Sequence, residues 1–143
     1  LTVKSLTSFL DKGNTIMRIL LVDDDRRYLE MLSSLLQSRG HKVFPAEEGK
    51  EARELLEAEQ VDLIISDVVM PTLDGVWFHS YVREFSNLPD VPFIFISGND
   101  NSSLSELVIQ PDKDLSLSKA LGPEALVNRI EMFVAGALVG ARK

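Results

Sequence analysis

The sequence predicts an α/β protein, a (βα)5 unit in which a doubly wound parallel sheet of five strands carries helices on both faces. Three observations lead there. Short apolar runs alternate regularly with longer segments of helical period along the chain. The connections are too short for antiparallel reversals with the same helices between, so the strands run parallel through right-handed crossovers. The fourth run, "VPFIFIS", is almost wholly apolar, as befits a strand covered on both faces.

Each element has its own warrant. "RILLV" (Arg18–Val22) is the first strand. "DRRYLEMLSSLLQSRG" follows as a helix, with Asp25 as N-cap, Leu29, Leu32 and Leu36 on one face and Gly40 as the stop. "HKVFPA" is a shorter strand, whose Pro45 predicts an early end or an edge position. "EGKEARELLEAEQ" is a helix with Ala52, Leu55 and Leu56 facing inward. "VDLIIS" is the third strand and "DGVWFHSYVREFS" the third helix. Pro71 sharpens the turn between them, and Asp74 suits the helix cap. After the fourth strand come a short, weak helix, "NSSLSELV", and a faint fifth strand, "KDLSLS". "GPEALVNRIEMFVAGAL" closes the pattern, with Pro123 in its first turn and Leu126, Ile130, Phe133 and Val134 on one face.

Composition narrows the function. The chain has 143 residues, enough for one domain with a real core, and is 45% hydrophobic and 26% charged. A net charge of -7 argues against a nucleic-acid footprint on this domain. With no cysteine, thiol catalysis, disulfides and cysteine zinc sites are excluded. No apolar run approaches the ~18–20 residues that span a bilayer. The opening "LTVKSLTSFLDKGNT" lacks the apolar core of a signal peptide, so a cytoplasmic setting is expected. Residues 1–16 read as an N-terminal extension or linker, 17–138 as the domain and 139–143 as a tail.

Open parallel sheets bind ligands beyond the carboxyl ends of their strands. The first strand ends in Asp23, Asp24 and Asp25, the third in Asp67 and the fourth in Ser97, while Lys119 follows the fifth. Taken singly, each has a plain reading: a cap, a solvated strand end, turn chemistry, a surface lysine. Together they gather carboxylates, a hydroxyl and an ammonium at one rim. Clustered carboxylates repel, and each has a raised pKa unless a cation joins them. An oxygen-only ligand set with open positions suits Mg²⁺. Trp77, Phe78 and Tyr81 read as packing or surface aromatics, and His41 and His79 as exposed residues without a role.

"ILLVDDD", "LIISDVVMPTLDG", "FIFISG" and the late Lys119 resemble the receiver domain of two-component response regulators, over roughly residues 17–138. The resemblance implies a flavodoxin-like sheet of order 2-1-3-4-5. It implies that Asp67 is the phosphoacceptor, attacking a phosphohistidine on a histidine kinase or phosphotransfer protein. Asp24 would bind Mg²⁺ directly, Asp23 through water or nearby, and the Val69 carbonyl would complete the protein's share of the shell. Ser97 and the Gly98 amide would bond phosphoryl oxygens, and Lys119 would pair with Asp67 before transfer and with the phosphoryl group after it. Phosphorylation would then switch the face formed by the predicted fourth helix, the fifth strand and the last helix. Such a module catalyses its own phosphorylation and dephosphorylation without being an enzyme in the ordinary sense. Its partners would be the kinase and an output domain or partner protein, with neither nucleic acid nor membrane bound by this domain. Homodimer formation stays open, and the closing "GARK" fits a stand-alone regulator, a piece of a larger one or part of a hybrid kinase.

Three departures from the family pattern matter. Ala120 follows Lys119 where the family has proline after a cis bond, which predicts a trans or strained peptide. Ser116 stands where the family often has a switching aromatic. Val69 is apolar and cannot orient water, so a long-lived aspartyl phosphate is expected. Two other readings compete. One is a pseudo-receiver serving as a phosphorylation-independent interaction or dimerisation module. The other is a Mg²⁺ phosphohydrolase using Asp67, for which neither a general acid nor a cap over the substrate is evident.

Overall fold

The computed structural model describes residues 16–68, 75–98 and 110–141, with side chains as far as residue 136. Its elements are β1 (Arg18–Val22), α1 (Arg26–Ser38), β2 (Lys42–Ala46), α2 (Gly49–Ala58), β3 (Leu63–Asp67), α3 (Gly75–Phe85), β4 (Phe93–Ser97), β5 (Asp114–Ser118) and α4 (Pro123–Ala141). The strands form one five-stranded sheet in the order β2-β1-β3-β4-β5, parallel throughout. The order reverses between β1 and β3, which places the ligand crevice at their carboxyl ends. The weak helix expected at "NSSLSELV", Val69, and the Met70-Pro71 turn with its Asp74 cap lie outside the described residues. The last helix runs on through Ala141, past the expected Leu138.

The two-residue period of the strands sorts their side chains into two cores. Ile19, Leu21, Ile65, Ile94 and Leu117 meet α1 and α4 through Leu32, Leu36, Leu126, Ile130 and Val134. On the other face Leu20, Ile64, Phe93 and Phe95 meet α2 and α3 through Ala52, Leu56, Phe78 and Val82. Each side chain of this size contributes roughly 1.5–3 kcal/mol when fully buried. All five residues of β4 are buried, in line with its unbroken apolar run. Pro45 sits inside β2 without ending it, because β2 is an edge strand and a proline there costs no ladder bond.

Local chemistry sets the boundaries that aim the site. The Asp25 carboxylate accepts from the Arg27 and Tyr28 amides and starts α1 directly after the acidic strand end. Gly40, at φ 95°, adopts the left-handed conformation that ends this helix. Among the described residues no peptide bond is cis, so the Lys119–Ala120 bond is trans. No helix among them is long and apolar enough to cross a membrane.

Both histidines contradict the expectation of exposure. His41 and His79 are 5% and 2% exposed. His41 Nδ1 accepts from the Met17 amide at 3.1 Å, and its Nε2 lies 2.9 Å from Glu131 Oε2. His79 lies next to Phe78 and three positions before Val82, on the inward stripe of α3. Its Nε2 is 2.9 Å from Asp114 Oδ1, which also accepts from Arg83 at 2.5 Å. Asp114 Oδ2 accepts from the Gln110 amide. The polar partner that makes burial of His79 tolerable is 35 residues away, beyond any local pattern.

Candidate functional site

Asp67 is the last residue of β3 and pairs in register with Ile96, one position before Ser97. Asp23 follows the last residue of β1, and its amide donates to the Ala46 carbonyl across the sheet. Ser97 ends β4, is 8% exposed, and its carbonyl accepts from the Lys119 amide at 2.8 Å. The parallel register therefore brings Asp23, Asp24, Asp67, Ser97 and Lys119 to one rim, as the sequence predicts.

The acids differ in role. Asp23 is buried and occupied on both oxygens: Oδ1 accepts from the Asp25 amide at 2.8 Å, and Oδ2 lies 2.7 Å from Lys119 Nζ. Asp24 is exposed, and Asp67 is partly buried. One carboxylate oxygen from each of the three lies within 4.8 Å of the others, close enough for a single cation. Asp25 turns instead to capping α1, the plainer of its two readings.

Electrostatics single out Asp67. Burial and the neighbouring Asp23 push its carboxyl up to about 6, against the Lys119 charge and the Val68 amide. Burial pulls the Lys119 pKa down, but the bond to Asp23 and the charges of Asp23 and Asp67 outweigh it and hold the ammonium firmly protonated. Lys119 Nζ is 3.6 Å from Asp67 Oδ2, so the expected Lys119–Asp67 pair exists beside a closer one to Asp23.

Two supporting residues, Tyr28 and Ser66, escaped the sequence reading, and a third, Gly75, entered it only as the end of the motif "LIISDVVMPTLDG". Tyr28, in the first turn of α1, places its ring 4.3 Å from Lys119 Nζ. Burial, then the charges of Asp23 and Asp67, push its phenol up to about 12, so it stays neutral. Ser66 Oγ donates to the Asp67 carbonyl at 2.9 Å. Gly75 opens α3 against that same carbonyl: a Cβ here would collide with the Asp67 oxygen and crowd Ser66 Oγ. An aromatic one helical turn past an acidic strand end was the available hint for Tyr28. Nothing in the sequence marked the contact of Gly75.

The set is chemically specific. Oxygen ligands with open positions suit a hard divalent cation, whose charge would offset the repulsion from Asp23 that, after burial, raises the Asp67 pKa. A carboxylate held beside an ammonium and two further acids can act as a nucleophile once that repulsion is neutralised.

A family model described as "Response regulator receiver domain" matches residues 19–131. The response regulator MprA of Mycolicibacterium vanbaalenii is 32% identical over 118 residues, which cover 82% of this chain and 50% of that protein. The response regulator receiver protein CpdR of Brucella abortus is 32% identical over 125 residues, covering 84% of this chain and 98% of CpdR. The chain thus spans about half the length of MprA and nearly all of CpdR. The crystal structure of the response regulator TrrA of Thermotoga maritima, in complex with Mg²⁺-BeF, superposes with a TM-score of 0.67 at 26% identity, covering 82% of this chain and 99% of that one.

Proposed function

This chain belongs to the response regulator receiver domain family, and from that premise we propose that it accepts a phosphoryl group on Asp67 from a histidine kinase or phosphotransfer protein. The observation that carries the reading is the convergence of Asp23, Asp24, Asp67 and Lys119 at the β1/β3 switch point. The proposed unit is residues 17–138, with 1–16 as an extension and 139–143 as a tail, in a cytoplasmic setting.

In this reading an Asp67 oxygen forms a bond to phosphorus while the phosphorus–nitrogen bond of the donor phosphohistidine breaks, its electron pair returning to the imidazole. Phosphoryl transfer asks a protein chiefly for positioning and charge neutralisation. Bound Mg²⁺ would supply neutralising charge to the acids and to the transferred oxygens, held by Asp24 and Asp67, by Asp23 through water or nearby, and by the Val69 carbonyl. Asp23 fixes Lys119, and Lys119 offers its ammonium first to Asp67 and then to the product. The Ser97 hydroxyl and the Gly98 amide donate to phosphoryl oxygens. The product adds up to about two negative charges and three acceptor oxygens, enough to redraw the hydrogen bonds at the ends of β4 and β5. The switched face would be the one built around β5 and α4, engaging an output domain or partner protein. Half-buried Ser116, in place of a large ring, leaves that signal either weaker or carried by the expected fourth helix and the loop "QPDKD".

The Mg²⁺-BeF complex of TrrA supports the cofactor assignment by similarity. Incubation with acetyl phosphate and Mg²⁺ followed by intact mass measurement tests the proposal. An adduct of about 80 Da, one phosphoryl group, that persists for minutes and disappears in Asp67→Asn is expected. No adduct would instead support a phosphorylation-independent interaction module.

A further inference from the structure

We infer that Tyr28 is a positioning residue for Lys119, its ring forming the wall that holds the ammonium over the acid pocket. The inference rests on the phosphoacceptor reading and adds to it a residue outside the acid, hydroxyl and lysine set.

Lys119 follows directly on β5, and its bond to the exposed Ala120 is trans. Its long side chain has many rotamers, so something must select one. Three groups surround the head: Asp23 Oδ2 at 2.7 Å, Asp67 Oδ2 at 3.6 Å and the Tyr28 ring centroid at 4.3 Å. The carboxylates attract the charge, and the ring closes the remaining side, presenting the electron-rich face that a cation prefers. The Lys119 stem runs past Gly98, where even an added Cβ would meet its Cδ only at ordinary contact distance, 3.7 Å, so the head groups and not the stem contacts select the rotamer.

Tyr28 is well placed for this task because it is itself fixed. Its amide donates to the N-capping Asp25 at 3.3 Å, and its ring packs against the α1/α4 side of the core. One cap thus sets both the acidic strand end and the aromatic wall. The ring contributes its π face and not its hydroxyl, so phenylalanine should replace it and leucine should not.

Two measurements decide the matter. The first is the NMR spectrum of the Lys119 Hε protons in the Mg²⁺-free protein. Ring current shifts them upfield in the wild type and in Tyr28→Phe, and the shift vanishes in Tyr28→Leu. The second is the affinity for beryllofluoride in the presence of Mg²⁺. Tyr28→Leu is expected to weaken it about five- to tenfold, and Tyr28→Phe to recover most of that. In a Lys119→Ala background, Tyr28→Leu should change the affinity by less than about twofold, because the two residues act as one unit. An equal loss in that background, a phenylalanine variant as weak as leucine, or lysine signals that ignore the ring would each overturn the inference. A wild-type protein that takes up no beryllofluoride overturns the phosphoacceptor reading, whereas the lysine spectrum still decides the placement by itself.

Discussion

The ammonium of Lys119 is held by Asp23, 2.7 Å from its Oδ2. Asp67 is the second partner, at 3.6 Å. The buried carboxylate thus anchors the lysine, which leaves the oxygens of Asp67 less committed. Asp23→Ala should therefore destabilise the Mg²⁺-free protein by about 1–3 kcal/mol, because it takes the nearer carboxylate from a largely buried ammonium and the acceptor from the Asp25 amide. Asp24→Ala, at an exposed position, should cost less than about 0.5 kcal/mol. Both should weaken Mg²⁺ binding. Urea unfolding in chelator and calorimetric titration with Mg²⁺ separate the two effects.

Asp67→Asn should stabilise the Mg²⁺-free protein. The carboxyl stands at about 6, above its ordinary 3.8, through burial and Asp23. The folded state then binds the proton more tightly than the unfolded one, so stability falls as pH rises through that window and stays lower above it. Removing the charge should restore about 1–3 kcal/mol near pH 7.5 and flatten the profile between the two values. Thermal unfolding from pH 4 to 8 checks this. A variant less stable than the wild type near pH 7.5 would contradict it.

Gly75→Ala should displace the Asp67 backbone. An added Cβ collides with the Asp67 carbonyl oxygen, a backbone atom, so the chain itself must shift to make room. The expected loss is about 1–3 kcal/mol, typical of overpacking, together with slower phosphorylation by acetyl phosphate. Phosphorylation at the wild-type rate, with unchanged stability, would show that the contact is not tight.

Asp114, at the amino end of β5 and so at the end of the sheet away from the site, should govern acid stability. Burial raises its pKa, but the bonds from His79 and Arg83 and the Arg83 charge prevail and lower it overall. That stabilisation is fully present above the ordinary 3.8 and is lost as pH falls toward the depressed folded value. Asp114→Ala should cost about 3 kcal/mol or more at pH 7, since it leaves Arg83 and His79 without their carboxylate. The gap between variant and wild type should narrow below pH 4, measured by urea titration.

The fold was largely legible because its signals are local. Apolar runs and helical stripes marked every described element, Asp25 and Gly40 bounded α1, and Pro45 marked the edge strand. The carboxylates and Lys119 were legible because strand ends of a parallel sheet share one rim. Residues whose roles depend on distant partners were not. The burial of His79 needs Asp114, that of His41 needs Glu131, and Tyr28 acquires its place only when β5 delivers Lys119 beside α1. The steric demand at Gly75 arises from a backbone approach that no spacing encodes.

The most direct test of the central claim is to locate the phosphoryl group. Borohydride reduces an aspartyl phosphate to homoserine, marking the acceptor permanently for tandem mass spectrometry. After phosphorylation with acetyl phosphate and Mg²⁺, the account predicts homoserine at position 67 and aspartate retained at 23, 24 and 25. Homoserine at any of those three positions, or at none of the four, would contradict it.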